Sequence, residues 1–292
     1  MTAKSMIKSF IPPIFLPIVQ KFNRWRVVTF FPNNKPYRDM VSHDYDVLDL
    51  KFDNLWESKN WIMHVEKTLI SSFNEVSDIH KSAVLKSIII LTHVYKNRPL
   101  TLYDFGGGCG VLIPPVNKLA NKLSLPISIN IIDSFSNVKL GESYFNEYNN
   151  VRFFNQDKVD LSQLLETSDS DDTIILNMSS LLQYVHPYDK FLESVLEAKK
   201  PKIVCITRFP RCEDSEVDAF AIQDITSSIG FCGSTVVNLF GKESLTKLMS
   251  KLGYEVILEE FDSIGSENYF AKCSDKKFQK MTLVSYTFMS IN

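Results

Sequence analysis

The sequence predicts an α/β protein. A mostly parallel open sheet is covered by helices on both faces, finished by an antiparallel strand pair and preceded by a helical region. Three observations predict it. Between residues 100 and 209, short apolar runs alternate with amphipathic ones, the pattern of βα units feeding a parallel sheet. Four of the chain's 10 glycines crowd into residues 106–110, where the first of these strands hands over to a helix. The last two strand-like runs have no helical pattern between them, so they pair antiparallel.

The elements follow in order. Residues 1–38 carry Lys4, Lys8, Lys21, Arg24, Arg26, Lys35 and Arg38 and no acid, around the apolar run "FIPPIFLPIV". That run is too short to span a bilayer, which needs about 20 apolar residues, and Pro12, Pro13 and Pro17 interrupt it. Three readings stay open for this arm: packing on the main domain, peripheral contact with anionic headgroups, or a signal peptide. From Asp53 to Asn97 apolar residues recur at helical spacing, giving two or more helices. Strands follow at 127–133, 151–156, 173–180 and 202–209, with helices at 137–149, 161–167 and 187–200. Residues 168–172 form an acidic loop. A helix at 241–254, stopped by Gly253, precedes the strands 255–263 and 280–290. Arg211 to Asn238 shows no clear period and reads as a long connection suited to a substrate lid or to ordinary packing. The organisation is thus a basic and apolar arm (1–52), a helical region (53–98) and a cofactor-binding domain (99–292).

Composition excludes little. With 292 residues, a net charge of −2 and 23% charged residues, the chain gives no electrostatic reason to expect nucleic acid. Its five cysteines have no C-x-x-C pairing and read as reduced, mostly buried thiols of a cytoplasmic protein. The five histidines lack metal-ligand spacing, and no metal site is expected.

The glycines carry the chemistry. Asp104-x-Gly106-x-Gly108-x-Gly110, with Gly107 between, sits at a strand's carboxyl end, where open α/β sheets bind ligands. Glycine there lets the chain turn with positive φ and lets a ligand touch the backbone. A dinucleotide fingerprint requires a glycine at 111, where Val111 stands. Asp133 ends the next strand, as expected of an acid that takes two ribose hydroxyls. Nucleotide folds place such an acid about 20 residues past the glycines; here, beyond Pro114 and Pro115, the separation is a little longer.

This pattern resembles the signature of class I S-adenosylmethionine-dependent methyltransferases, a Rossmann-like fold. The resemblance implies that the loop receives the methionine part of S-adenosyl-L-methionine, that Asp104 acts on its amino end, and that Gln156 and Asp157 contact adenine. More narrowly, "IKSFIPPI", "LYDFGGGCG", "SSLLQYVHPYDKFL" and "STVVNLFGKESLTKLMSKLGYEVILEEFD" resemble methyltransferases encoded among bacterial O-antigen and capsule biosynthesis genes. In "ITRFP", Arg208 and Pro210 match that group's Asp-Arg-Thr-Pro-like run, whereas Thr207 and Phe209 depart, so no catalytic carboxylate carries over.

Methyl transfer is an in-line displacement in which the protein positions donor and acceptor and removes a proton from a hydroxyl acceptor. The acceptor belongs above the ends of strands four and five, near Asn177 (also a candidate cofactor contact), Ser179, Ser180, Gln183, Tyr184, His186 and Arg208. His186 is a general-base candidate or, before Pro187, a helix cap. Arg208 pairs with a phosphate or carboxylate of a sugar nucleotide or glycan, or with the acidic run Glu213, Asp214, Glu216 and Asp218. The expected function is methylation of a sugar or lipid-linked glycan at the inner face of the membrane or in the cytoplasm. A non-catalytic subunit of the same fold and a nicotinamide-dependent oxidoreductase are the alternatives. The oligomeric state is not set by the sequence.

Overall fold

The computed structural model of the chain describes residues 37–42, 55–73, 79–95, 98–166, 173–226, 232–261 and 281–291. The basic arm, apart from the start of the first strand, lies outside these residues, as does the acidic loop 168–172.

Seven strands form the main sheet: β2 (Leu100–Phe105), β3 (Ile127–Asp133), β4 (Val151–Asn155), β5 (Thr173–Ser179), β6 (Ile203–Cys212), β9 (Tyr254–Phe261) and β10 (Met281–Ser290). Their order is β4-β3-β2-β5-β6-β10-β9. The first five run parallel, while β10 runs antiparallel to both β6 and β9. This is the expected α/β class with its antiparallel pair. The chain steps outward from β2 to β4 and then returns to β5 on the other side of β2. The strand order therefore reverses between β2 and β5, where such sheets open a crevice.

Alternation within the strands sorts the core into two layers. Leu100, Leu102, Ile129, Ile175, Ile203 and Cys205 point to one face. Tyr103, Ile174, Leu176, Met178, Val204 and Ile206 point to the other. Helices α1 (Lys59–Ser72), α2 (Ile79–Val94) and α3 (Ile113–Leu123) cover the first face. On α2, Ala83, Val84, Ser87, Ile88 and Leu91 are buried at helical spacing. Pro114 and Pro115 fall within the first turn of α3, whose N–H groups have no intrahelical partner to lose. α4 (Phe135–Phe145) follows β3 directly. The opposite face carries α5 (Leu161–Glu166), α6 (Tyr188–Ala198) and α7 (Ser244–Lys251). Gly253, at φ +83°, ends α7 as expected.

Two expectations change. Arg211–Asn238 is not a single irregular connection: β7 (Ala219–Thr226) and β8 (Cys232–Leu239) form a hairpin, joined by β1 (Tyr37–Ser42) into a separate three-stranded sheet. The inward positions of β7 include Ala219 and Ala221, whose weak apolarity hides the alternation. The fifth strand of the parallel series, expected to end at residue 209, continues through Pro210 to Cys212. Proline normally marks an edge or an end; here the Pro210 carbonyl accepts from the Phe240 N–H, so the pairing continues across it. Cys109, Cys205 and Cys212 are buried thiols outside any disulfide. No helix among the described residues is long and apolar enough to cross a membrane.

Candidate functional site

A cavity of about 500 Å³ opens at the carboxyl ends of β2, β3, β5 and β6, within the usual size of a small-molecule site. Its floor is the glycine loop. At Gly108, φ of +61° turns the backbone N–H onto Asp133 Oδ2, at 2.7 Å. A Cβ on Gly107 would stand 2.5 Å from Asp104 Oδ2, so a larger residue would displace that carboxylate.

Two acids flank the loop. Asp104 ends β2 and faces Asn177 across the β2–β5 pairing; the Asn177 amide N–H donates to Asp104 Oδ1 at 2.7 Å. Only 2% of Asp104 is exposed. Burial pushes its carboxyl up to about 7, opposed by the Asn177 bond and assisted by the charge of Asp133. Asp133 accepts from Gly108 N–H through Oδ2, and from Ser134 N–H and the Asn137 amide through Oδ1. Burial also raises its carboxyl, against those three bonds. Both asparagines spend an amide N–H on a carboxylate, which fixes how each amide is turned. The oxygens left over, Asn137 Oδ1 and Asn177 Oδ1, are buried without a partner.

The roof comes from the N-terminal side. Ser58 caps α1 by accepting the Trp61 N–H, and α1 presents Trp61, His64, Val65 and Thr68 to the cavity at i, i+3, i+4 and i+7. Trp56 sits edge-on to Trp61 at 4.8 Å and to Tyr184 at 5.0 Å between ring centroids. Glu57 anchors this turn on Ser136 at the start of α4. His64 is half-buried, and its ring lies tilted 5.6 Å from Trp61. Burial, then the Lys67 charge, lowers its pKa, so its imidazole is neutral near pH 7.

On β6 the cavity is shaped by a bulge. Phe209 pairs with Val284 and Ile206 with Tyr286, so Thr207 and Arg208 together oppose Ser285. Arg208 takes φ +57° and its N–H donates to Ser285 Oγ at 3.1 Å. Such bulges re-aim a side chain, and Arg208 lines the cavity.

The structure therefore brings Asp104, Gly106, Gly107, Gly108, Asp133, Gln156 and Asn177 together with Ser179, Ser180, Tyr184 and Arg208 around one cavity. Four predicted residues are not among those lining it. Gly110, at φ +91°, supports the turn into α3, its carbonyl accepting from Ile113 N–H. Asp157 is exposed in the turn after β4, its N–H bound to Asn155 Oδ1. His186 is exposed and packs edge-on against Phe220 at 5.0 Å; the cap of α6 is Pro187, without a side-chain bond. Gln183 is buried behind the lining. Of the acidic run, Glu213 pairs with Arg211 and Asp218 accepts from Tyr188 OH and Gly241 N–H. Sequence reading missed Trp56, Trp61, His64 and Asn137. Two of the chain's three tryptophans within "LWESKNW" were the available signal, as was an asparagine one helical turn after Asp133. Among the described residues, no group of three or more His, Cys, Asp or Glu side chains could hold a metal.

No family model and no curated protein matches the chain. Among solved structures it is similar to an S-adenosylmethionine-dependent methyltransferase from Methanosarcina mazei, at 14% identity over 69% of this chain and 97% of that one, with a TM-score of 0.45. A second, an S-adenosylmethionine-dependent methyltransferase from Clostridium acetobutylicum, is 12% identical over 80% and 99%, with a TM-score of 0.42. A third is phosphoethanolamine N-methyltransferase 2 of Haemonchus contortus in complex with S-adenosyl-L-methionine, 12% identical over 82% and 59%, with a TM-score of 0.48. Likenesses this distant carry no weight for activity or substrate.

Proposed function

We propose that this chain is an S-adenosylmethionine-dependent methyltransferase acting on a hydroxyl of a sugar or lipid-linked glycan in bacterial surface-polysaccharide assembly. One observation carries the reading. Asp104 and Asp133, two buried carboxylates at adjacent strand ends, face one cavity across a glycine loop, beside two buried amide oxygens that lack donors.

Those groups fit the cofactor. A carboxylate offers about four acceptor sites. Asp133 spends three on the protein, which leaves one on Oδ2 for a ribose hydroxyl; Asn137 Oδ1 takes the neighbouring hydroxyl. Asp104 spends one and, with Asn177 Oδ1, receives the ammonium group. Gln156 lies toward the adenine. When bound, the cofactor supplies an electrophilic methyl group on a sulfonium. The chain's residues align the acceptor hydroxyl with it, and the roof of Trp56, Trp61 and Tyr184 keeps water out. His64, whose neutral ring faces the cavity, would accept the acceptor hydroxyl's proton as the methyl group leaves the sulfur for the oxygen, rather than the outward-lying His186.

The polysaccharide assignment is supported by the resemblance in "SSLLQYVHPYDKFL", which contributes Ser179, Ser180 and Tyr184 to the cavity. The basic arm of residues 1–38 would hold the protein at an anionic membrane surface near a lipid-linked acceptor.

Calorimetric titration with S-adenosylmethionine, S-adenosylhomocysteine and NAD tests the cofactor. The two adenosyl compounds bind, and Asp133→Ala weakens them roughly 10- to 150-fold, the worth of a hydrogen bond to a charged group. A folded protein that binds neither, or prefers NAD, refutes the proposal.

A further inference from the structure

We infer that the acceptor is an anion: Arg208 grips its carboxylate or phosphate, and its ring packs against Trp56, Trp61 and Tyr184. This deepens the methyltransferase reading, which supplies the reaction; the anion site stands on the geometry alone.

The cavity is divided by charge along the sheet. Asp133 and Asp104 lie at the carboxyl ends of β3 and β2, Asn177 pairs with Asp104 from β5, and Arg208 lies further along β6; these strands are successive neighbours. Adjacent strands lie about 4.8 Å apart and rise about 3.3 Å per residue. Arg208, two strands across from Asp104 and three residues beyond its level, is thus roughly 14 Å from its backbone, and roughly 15 Å from that of Asp133. One end of the cavity offers carboxylates and bare amide oxygens. The other offers the Arg208 guanidinium as a donor, and the roof carries the Trp61 indole N–H, buried without a partner. Arg208 is the only lysine or arginine among the described residues lining the cavity.

The bulge makes this placement costly. A left-handed φ costs a non-glycine residue roughly 1–2 kcal/mol, and Arg208 holds it through the bond to Ser285 Oγ. The planar guanidinium fork matches carboxylate and phosphate geometry. The aromatic rings exclude water beside it, which strengthens a charge-assisted bond. Their flat faces suit a ring-shaped body. A cationic acceptor would meet the guanidinium as a like charge, so the same rings do not serve here as an ammonium cage.

The tryptophans report on the test. In the full chain carrying Trp25→Phe, fluorescence arises from Trp56 and Trp61 alone. With S-adenosylhomocysteine present, the protein is titrated with glucuronate, glucose 1-phosphate and neutral methyl glucoside. Saturable changes with one or both anions, at least about tenfold tighter than with the glucoside, are expected, and the anion that binds identifies the group. Arg208→Gln removes that preference while leaving S-adenosylhomocysteine binding within about twofold, a tenfold loss being 1.4 kcal/mol. Three results overturn the proposal: equal affinity for glucoside and anions, no saturable response at millimolar anion, or loss of S-adenosylhomocysteine binding in Arg208→Gln, which would assign the guanidinium to the cofactor's own carboxylate. Anion binding that survives when S-adenosylhomocysteine does not bind at all sinks the methyltransferase reading alone.

Discussion

Replacing Asp104 by asparagine should stabilise the ligand-free protein at neutral and alkaline pH. The carboxyl is raised from 3.8 to about 7 in the folded state, chiefly by burial. The folded protein therefore keeps a proton that the unfolded chain releases. Below about pH 4 both states hold the proton and the burial costs nothing. Between about pH 4 and 7 stability falls as pH rises, and above pH 7 the full penalty is in place. Three pH units at 1.36 kcal/mol each give about 4 kcal/mol. The amide of Asp104→Asn is neutral throughout and still offers an oxygen to the Asn177 N–H. Urea unfolding from about pH 4 to 8 should show variant and wild type equal at the acid end and diverging upward, to at most about 4 kcal/mol. A difference independent of pH, or a variant less stable above pH 7, would refute the burial argument.

The same acid couples ligand binding to protons. An ammonium group docking on Asp104 draws its carboxyl back toward ionisation, so S-adenosylhomocysteine should bind up to about tenfold tighter for each unit that the pH rises toward 7, with release of up to one proton; calorimetry in buffers of differing ionisation enthalpy reads it directly. Away from the cavity, the largely buried Arg211 guanidinium joins Glu213, Glu259 and Tyr286. Arg211→Ala leaves both carboxylates unpaired and should cost about 2–3 kcal/mol by chemical denaturation, below the cost of a fully buried pair because both are about one-third exposed.

The parallel strands and the two acids were legible because local chemistry announces them. A strand buried on both faces reads as a continuous apolar run, and Asp104 and Asp133 each end one. The roof was not. The face of α1 toward the cavity repeats at the spacing of any core-facing helix, so nothing in "NWIMHVEKTL" separates Trp61 and His64, which line the cavity, from Leu69, which is fully buried. His186 drew attention because it stands near a strand end in sequence; its orientation is set by Phe220, far along the chain. The Arg208 bulge exists only in register with β10, more than seventy residues later.

The position of β10 has a consequence for biosynthesis. Strand β10, more than sixty residues after the end of β6, lies inside the sheet, between β6 and β9. Until the ribosome reaches about residue 290, β6 presents one edge unpaired over its whole length, and β9 has no neighbour. Exposed edges of this kind are templates for wrong pairing, and closure by such distant segments is slow. The nascent chain therefore depends on protection of β6 until β10 emerges. A nonsense or frameshift lesion ahead of Met281 would be as damaging as a lesion in the glycine loop.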